Sequence, residues 1–413
     1  MTIWKTDKLR NLPIDFVDGD RSSKYPKRSE FVPEGIPFLN AESINEGYLN
    51  LSKANFITEE KFSSIKKGRL QGGDLILTTR GNGVGKAAYF SGKPSTGLIN
   101  AQLLIIRPEQ KHIFPRFLYY SFINPYFQGT LKNFVSGSAQ PQLPIQSLRE
   151  VELSYPPLPI QCKITAILSV YDDLIENNTR RIEILEEMAR SLYREWFVNF
   201  RSETEKVENR TLNDICEFIV DCEHKTAPTQ GTGYPSIRTP NIGRGRLLLD
   251  KVNRVSEETY KAWTKRAIPQ KDDLILAREA PVGNVAIIPK NLQVCLGQRT
   301  VLIRPNISKV KPYYLLYLML SDEIQNKLLS LSNGATVHHL NLKDIRNLGL
   351  PELHSILSQD KINTFLSNYY DLIFNLTRKI ENLRQTRDLL LPKLILGEID
   401  LENLDINTGK IAA

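Results

Sequence analysis

Cysteine is scarce in this chain of 413 residues: Cys162, Cys216, Cys222 and Cys295 stand alone, with no CxxC pair among them. That spacing speaks against zinc and disulfide frameworks, so four reduced, mostly buried thiols are expected. No apolar run approaches the roughly 20 residues that cross a bilayer. The opening Met1-Thr2-Ile3-Trp4-Lys5 also lacks the charged-then-apolar layout of a signal peptide, so a cytoplasmic protein without membrane contact is expected. Five histidines give no assignable Ser-His-Asp or Cys-His arrangement. Gly81-Asn82-Gly83-Val84-Gly85-Lys86 falls short of a P-loop, which would need glycine at Arg80 and Ser or Thr at Ala87. Asn124-Pro125-Tyr126-Phe127 has one proline where an adenine methyltransferase needs two in a row. His338-His339 with Cys295 could be imagined as metal ligands, but a pair that faces a binding partner or plain solvent suits them better. No catalytic residue, metal or cofactor is expected.

What is present is an ordinary globular composition, 41% hydrophobic, with a formal charge of +8. Such a charge fits a polyanionic partner, because each Lys or Arg that meets a phosphate releases counterions. It also suits a basic protein with no specific nucleic-acid partner.

The strongest signal is an internal repeat. Ile164, Leu168, Tyr171, Ile175, Ile182, Leu185 and Leu192 recur as Ile362, Leu366, Tyr369, Ile373, Ile380, Leu383 and Leu390, always 198 residues later. Upstream, Gly35-Ile36-Pro37 answers Gly233-Tyr234-Pro235, Asp74-Leu75-Ile76-Leu77 answers Asp273-Leu274-Ile275-Leu276, and Arg107-Pro108 answers Arg304-Pro305. The period is too long for a solenoid, so each copy should be a domain plus a helix, the two related by a pseudo-twofold.

The recurring residues alternate in steps of four and three, which is the seam of a coiled coil. From Ile164 to Trp196 the seam spans roughly 48 Å at 1.5 Å per residue. A lone helix would leave that stripe exposed, and the other copy, paired antiparallel, is the simplest partner. Asn178 sits in the seam where the second copy has Leu376, and Arg387 takes the place of Ala189; buried polar seam residues often fix register at some cost in stability, but exposure near a helix end is the preferred explanation of both. Pro392 should interrupt the second helix, leaving Lys393 to Ala413 as a short closing element with a loose tail.

Upstream of each helix, runs such as Leu75–Leu77, Leu103–Ile106, Leu274–Leu276 and Val301–Ile303 read as strands, with helices from Arg116 and Pro312. Each head is thus a mixed α/β domain. The framework repeats while the polar loops differ, although surface loops also drift freely. Arg, Lys, Asn and Gln are the groups that distinguish base edges and anchor phosphates. Candidate DNA-binding residues in head one are Arg21, Lys24, Lys27, Arg80, Asn82, Lys86, Gln140 and Gln142. In head two they are His224, Lys225, Arg238, Asn241, Arg244, Arg246, Arg278, His338 and His339.

This order of elements resembles the specificity subunit of type I restriction-modification systems. Pro156-Pro157-Leu158-Pro159-Ile160-Gln161 is similar to the family's lead-in to its central helix, and Ser191-Leu192-Tyr193-Arg194-Glu195-Trp196-Phe197 to that helix's exit. Val220-Asp221-Cys222-Glu223-His224-Lys225-Thr226 looks like the opening of a target recognition domain, and Leu391-Pro392-Lys393-Leu394 also fits. The resemblance implies recognition domains at 1–157 and 201–355, with coiled-coil helices at 158–200 and 356–413. It further implies a non-catalytic chain whose two heads read the halves of an asymmetric bipartite site in double-stranded DNA, with the helices setting the spacer. Two adenine methyltransferase subunits would dock on it, with Trp196 and Phe197 in the docking surface, and restriction subunits would join through the complex. The second copy departs at Pro351-Glu352-Leu353-His354-Ser355-Ile356, which lacks the double proline, so a less regular helix start is expected there. A specificity chain of a related methyltransferase system, or a two-headed protein scaffold, would suit the same residues.

Overall fold

The computed structural model describes residues 4–45, 48–137, 140–199, 204–205, 210–332 and 339–409. The chain divides into two compact units, Met1–Glu176 with Glu381–Ala413, and Asn177–Ile380. Each unit holds one head and a segment of each long helix.

The apolar runs form a sheet of the same strand order in both heads. In the first unit Leu103–Pro108 lies between Ile14–Asp18 and Leu75–Thr78, with Ala87–Tyr89 outside, all antiparallel. In the second, Thr300–Pro305 lies between Cys216–Asp221 and Leu274–Ala277, with Val285–Ile287 outside. These strands read as unbroken Leu, Ile and Val because both faces are covered, alternate residues facing opposite layers. Leu75, Leu77, Leu104 and Ile106 pack on Phe117, Leu118 and Phe122 of the helix Pro115–Ile123, while Ile76, Leu103 and Ile105 pack on Leu39, Phe90 and Ile99. In the second unit Leu274, Leu276, Val301 and Ile303 face Tyr314, Leu315 and Leu318, and Ile275 and Leu302 face Ile237 and Leu296. A three-stranded sheet supplies the far layer of each head. Ile36–Leu39 pairs antiparallel with Asn55–Ile57 and parallel with Leu98–Ile99; Tyr234–Ile237 does the same with Arg254–Val255 and Cys295–Leu296.

Both long helices run on through the seam: Leu158–Asn199 and Ile356–Ile395, their starts again 198 residues apart. The irregular start expected for the second is therefore corrected. The reason is a buried glutamine at the same offset. Gln161 Oε1 accepts from the Phe114 N–H at 2.8 Å and its Nε2 donates to the Pro156 carbonyl at 2.9 Å. Gln359 Oε1 accepts from the Lys311 N–H at 2.9 Å and its Nε2 donates to the His354 carbonyl at 2.7 Å. The amide ties helix to head in both copies, and the double proline is dispensable. Gln359→Leu should cost about 1–3 kcal/mol, the penalty of a buried donor and acceptor left unpaired. Urea unfolding checks this, and a change within a few tenths would contradict it.

In the first unit Ile164 and Leu168, from the start of one helix, share a core with Leu391, Leu394 and Ile395 from the end of the other. In the second unit Ala189 and Tyr193 share one with Ile362, Leu366 and Tyr370, so start meets end in both and the pairing is antiparallel. Three expectations are corrected here. Asn178 is buried, 7% exposed. Arg387 is half-buried, its NH1 2.7 Å from Asp172 Oδ1, and Asp172 also accepts from the Tyr120 hydroxyl. Pro392 lies inside the helix, which continues to Ile395 and is followed by a turn at Gly397, φ +72, against the Trp4 ring. Burial of Leu391, Leu394 and Ile395 offsets the proline's cost. The segment beyond is tied down as well: Leu401 is buried, and Lys163 Nζ donates to the carbonyls of Leu401, Glu402 and Leu404.

Among the described residues no helix is long and apolar enough to cross a membrane.

Candidate DNA interface

The sheet register brings four loop segments to one corner of each head. In the first head Thr79 N–H donates to the Gln102 carbonyl at 2.8 Å, and Leu143 N–H donates to the Thr79 carbonyl at 2.9 Å. In the second, Arg278 N–H donates to the Arg299 carbonyl at 3.0 Å, and Leu340 N–H donates to the Arg278 carbonyl at 3.1 Å. Single bridges Arg80↔Gln142 and Glu279↔His339 close the two corners alike. An aspartate at the end of the first strand completes each: Arg21 NH2 lies 2.9 Å from Asp18, and His224 Nε2 3.3 Å from Asp221. Asp18, Arg21, Thr79, Arg80, Gln102 and Gln142 thus stand where Asp221, His224, Arg278, Glu279, Arg299 and His339 do. The scaffold is the same and the side chains are not.

The second corner is held by a chain of ion pairs. Arg278, 7% exposed, meets Asp221 Oδ2 through NH1 at 2.6 Å and the Leu340 carbonyl through Nε at 2.8 Å. Its NH2 is 2.8 Å from His339 Nε2, and His339 Nδ1 is 2.7 Å from Glu279 Oε1. A guanidinium only donates and a carboxylate only accepts, so Nδ1 carries the proton towards Glu279 and Nε2 accepts from Arg278. Glu279 Oε2 lies 2.9 Å from Arg299 Nε. His224, Arg278, Glu279, Gln298, Arg299 and His339 line an open recess of about 320 Å³. The first corner is looser: Arg80 is half-buried, Gln142 exposed, and Gln102 Oε1 accepts from Asn100 Nδ2 at 3.1 Å.

Residues 15–187 and 204–385 each match the family model described as the type I restriction modification DNA specificity domain. The chain belongs to that family. The type I restriction enzyme MjaIX specificity subunit of Methanocaldococcus jannaschii is 27% identical over 425 residues, covering 97% of this chain and 94% of that one. The MjaVIII specificity subunit of the same organism is 21% identical, covering 95% and 92%. The crystal structure of the S subunit of the type-I restriction-modification system from M. genitalium matches with a TM-score of 0.60 and 16% identity over 95% of this chain and 96% of that one. That likeness shows the fold.

In this specificity chain the sequence-chosen residues separate into groups. Lys24, Lys27, Asn82, Lys86, Gln140, Lys225 and Arg238 are exposed. Asn82 and Lys86 sit on a turn that closes on itself through Gly85 N–H to the Thr78 carbonyl at 2.9 Å. Three of the candidate DNA-binding residues are tied into the framework. Asn241 is buried and bonds the Leu248 carbonyl at 3.2 Å, Arg246 is paired with Glu186 of the long helix, and Arg278 is closed in as described. Arg244 reaches the Leu320 carbonyl at 3.4 Å. Trp196, expected in a docking surface, packs against the second unit's core. His338 and the Phe197 side chain lie outside the described residues. Glu279, Gln298 and Arg299 were missed, as were Gln102 and Asp18. Pairing the strands Leu274–Leu276 and Val301–Ile303 antiparallel on paper would have set Arg299 beside Arg278.

Proposed function

We propose that this chain is the DNA reader of a type I restriction-modification complex, each head recognising one half of an asymmetric bipartite site in double-stranded DNA. The antiparallel helices set the unread spacer. Two methyltransferase subunits dock on the chain, restriction subunits join through them, and the chain itself carries no catalytic centre. The complex works in the cytoplasm. The observation that carries this reading is the pair of corners, equivalent in backbone and different in polar side chains, which is what two sequence-specific readers on one scaffold require. The net charge of +8 supports phosphate contact, with Lys24, Lys27, Lys86, Lys225 and Arg238 as exposed candidates. Docking is supported by apolar side chains left exposed on the long helices, among them Val170, Met188, Phe365, Leu372 and Leu389.

Single-molecule methylation mapping tests the reading. Cells expressing this chain with its methyltransferase should carry a split motif with a fixed gap that the methyltransferase alone does not produce. Exchanging residues 1–157 for those of another specificity chain should change one half of that motif and leave the other half and the gap intact. Change in both halves, or no new motif with an active methyltransferase, would refute it.

A further inference from the structure

Among the cations at the second corner, Arg299 is held differently from the rest. Its backbone has φ +65, in the left-handed region that a side chain adopts only under constraint. Its side chain is 60% exposed, yet Nε is pinned 2.9 Å from Glu279 Oε2. Glu279 is itself fixed, only 14% exposed, with its other oxygen on His339, and His339 leads through Arg278 to Asp221 at the end of the central sheet. The guanidinium is therefore aimed by a rigid relay, with the edge beyond Nε open at the rim of the 320 Å³ recess. The equivalent position in the first head is Gln102, which carries no charge and is steadied by Asn100.

A phosphate anchor gains nothing from this arrangement. The adjacent carboxylate cancels much of the charge that would attract a polyanion, and a phosphate accepts from many directions. A planar edge held in one orientation suits two acceptors lying side by side in a plane, and the major-groove edge of guanine offers N7 and O6 in that way. We propose that Arg299 is the specificity-determining residue of the second head, reading a guanine through its terminal nitrogens, with Glu279 as the positioning residue that aims it. This rests on the two-headed DNA reading above.

The test uses the full chain with its methyltransferase. In methylation maps, Arg299→Lys keeps the charge and loses the fork, so one guanine position of the second half-site should become degenerate, its discrimination falling roughly tenfold or more. The first half-site and the gap should stay as they were. Glu279→Gln should relax the same position. A chemical measurement stands beside these variants: with each guanine of the second half-site replaced in turn by its 7-deaza analogue, the wild-type complex should bind one oligonucleotide markedly more weakly, and the Arg299→Lys complex should not discriminate it. A second half-site without guanine would overturn the proposal, as would no sensitive position. So would an Arg299→Lys map identical to wild type, or Arg299→Ala weakening all sites equally with the motif unaltered. A wild-type chain that directs no split motif would instead fail the underlying reading, and the proposal with it.

Discussion

Raising the pH above 10 is expected to unfold this protein cooperatively, the second unit first. Burial pushes the Tyr314 and Tyr317 hydroxyls up to about 12 and moves Tyr119, Tyr120, Tyr193, Tyr313 and Tyr370 upward too. A raised folded-state value means that the folded chain holds its proton where the unfolded chain has released it. The stabilisation is therefore complete below pH 10 and is lost as pH climbs towards the folded values. Each tyrosine withdraws about 1.4 kcal/mol per pH unit in that window, and the five of the second unit together withdraw about 7 kcal/mol per pH unit, comparable with the whole stability of a folded domain. Tyr193, Tyr313, Tyr314, Tyr317 and Tyr370 all lie in Asn177–Ile380. Circular dichroism and tyrosinate absorbance, followed together against pH, should show the buried tyrosines ionising only as helix is lost. Smooth ionisation of all 16 tyrosines near pH 10 with the helix signal intact would contradict the account.

The parts of the fold that were legible in sequence are those where burial repeats along the chain. Strands covered on both faces appear as runs of Leu, Ile and Val, and Leu75–Leu77 and Val301–Ile303 become Leu75–Thr78 and Thr300–Pro305. The helix pair was legible because a seam imposes a period, and Gln359 could have been found from Gln161 by the same offset. The small three-stranded sheets were not visible. Their parallel pairing joins Ile36–Leu39 to Leu98–Ile99 across a long stretch of chain, with nothing local to mark it. Pro392 misled for a related reason, since its local cost is outweighed by a core formed with the distant Ile164 and Leu168.

The candidate interface was legible at the level of loops and not of side chains. Arg80 and Arg278 were among the sequence candidates, and the structure knits the segments that carry them into corners. Whether an arginine there reads or supports depends on which acceptor arrives from elsewhere. Arg278 looks like a surface loop residue until Asp221, 57 residues away, closes it in. Arg246 is decided likewise by Glu186 on the long helix. Arg299 carried no local signal, because its importance comes from the Glu279 carboxylate across the strand pair.

Arg304→Met is expected to destabilise the second head by about 3–5 kcal/mol, the cost of leaving a buried charge without its partner. Asp273 is 2% exposed, and Arg304 grips both its oxygens, Nε to Oδ1 at 2.8 Å and NH2 to Oδ2 at 2.7 Å. The same NH2 donates to the Ile268 carbonyl, and the guanidinium lies over the Phe218 ring at 4.5 Å. The carboxylate in turn accepts from the Gln270 N–H at 2.9 Å, fixing the turn before the strand. Arg107, Asp74 and Gln71 repeat this arrangement in the first head. The double variant Arg304→Met with Asp273→Asn removes the stranded charge and keeps an acceptor for Gln270, so it should regain most of what the single change loses. Urea unfolding of the wild type, the single and the double variant decides between this and a surface role for the pair. A loss below about 1 kcal/mol for Arg304→Met would place it among ordinary surface ion pairs, and a double variant no more stable than the single one would mean that packing on Phe218, not charge, is what Arg304 supplies.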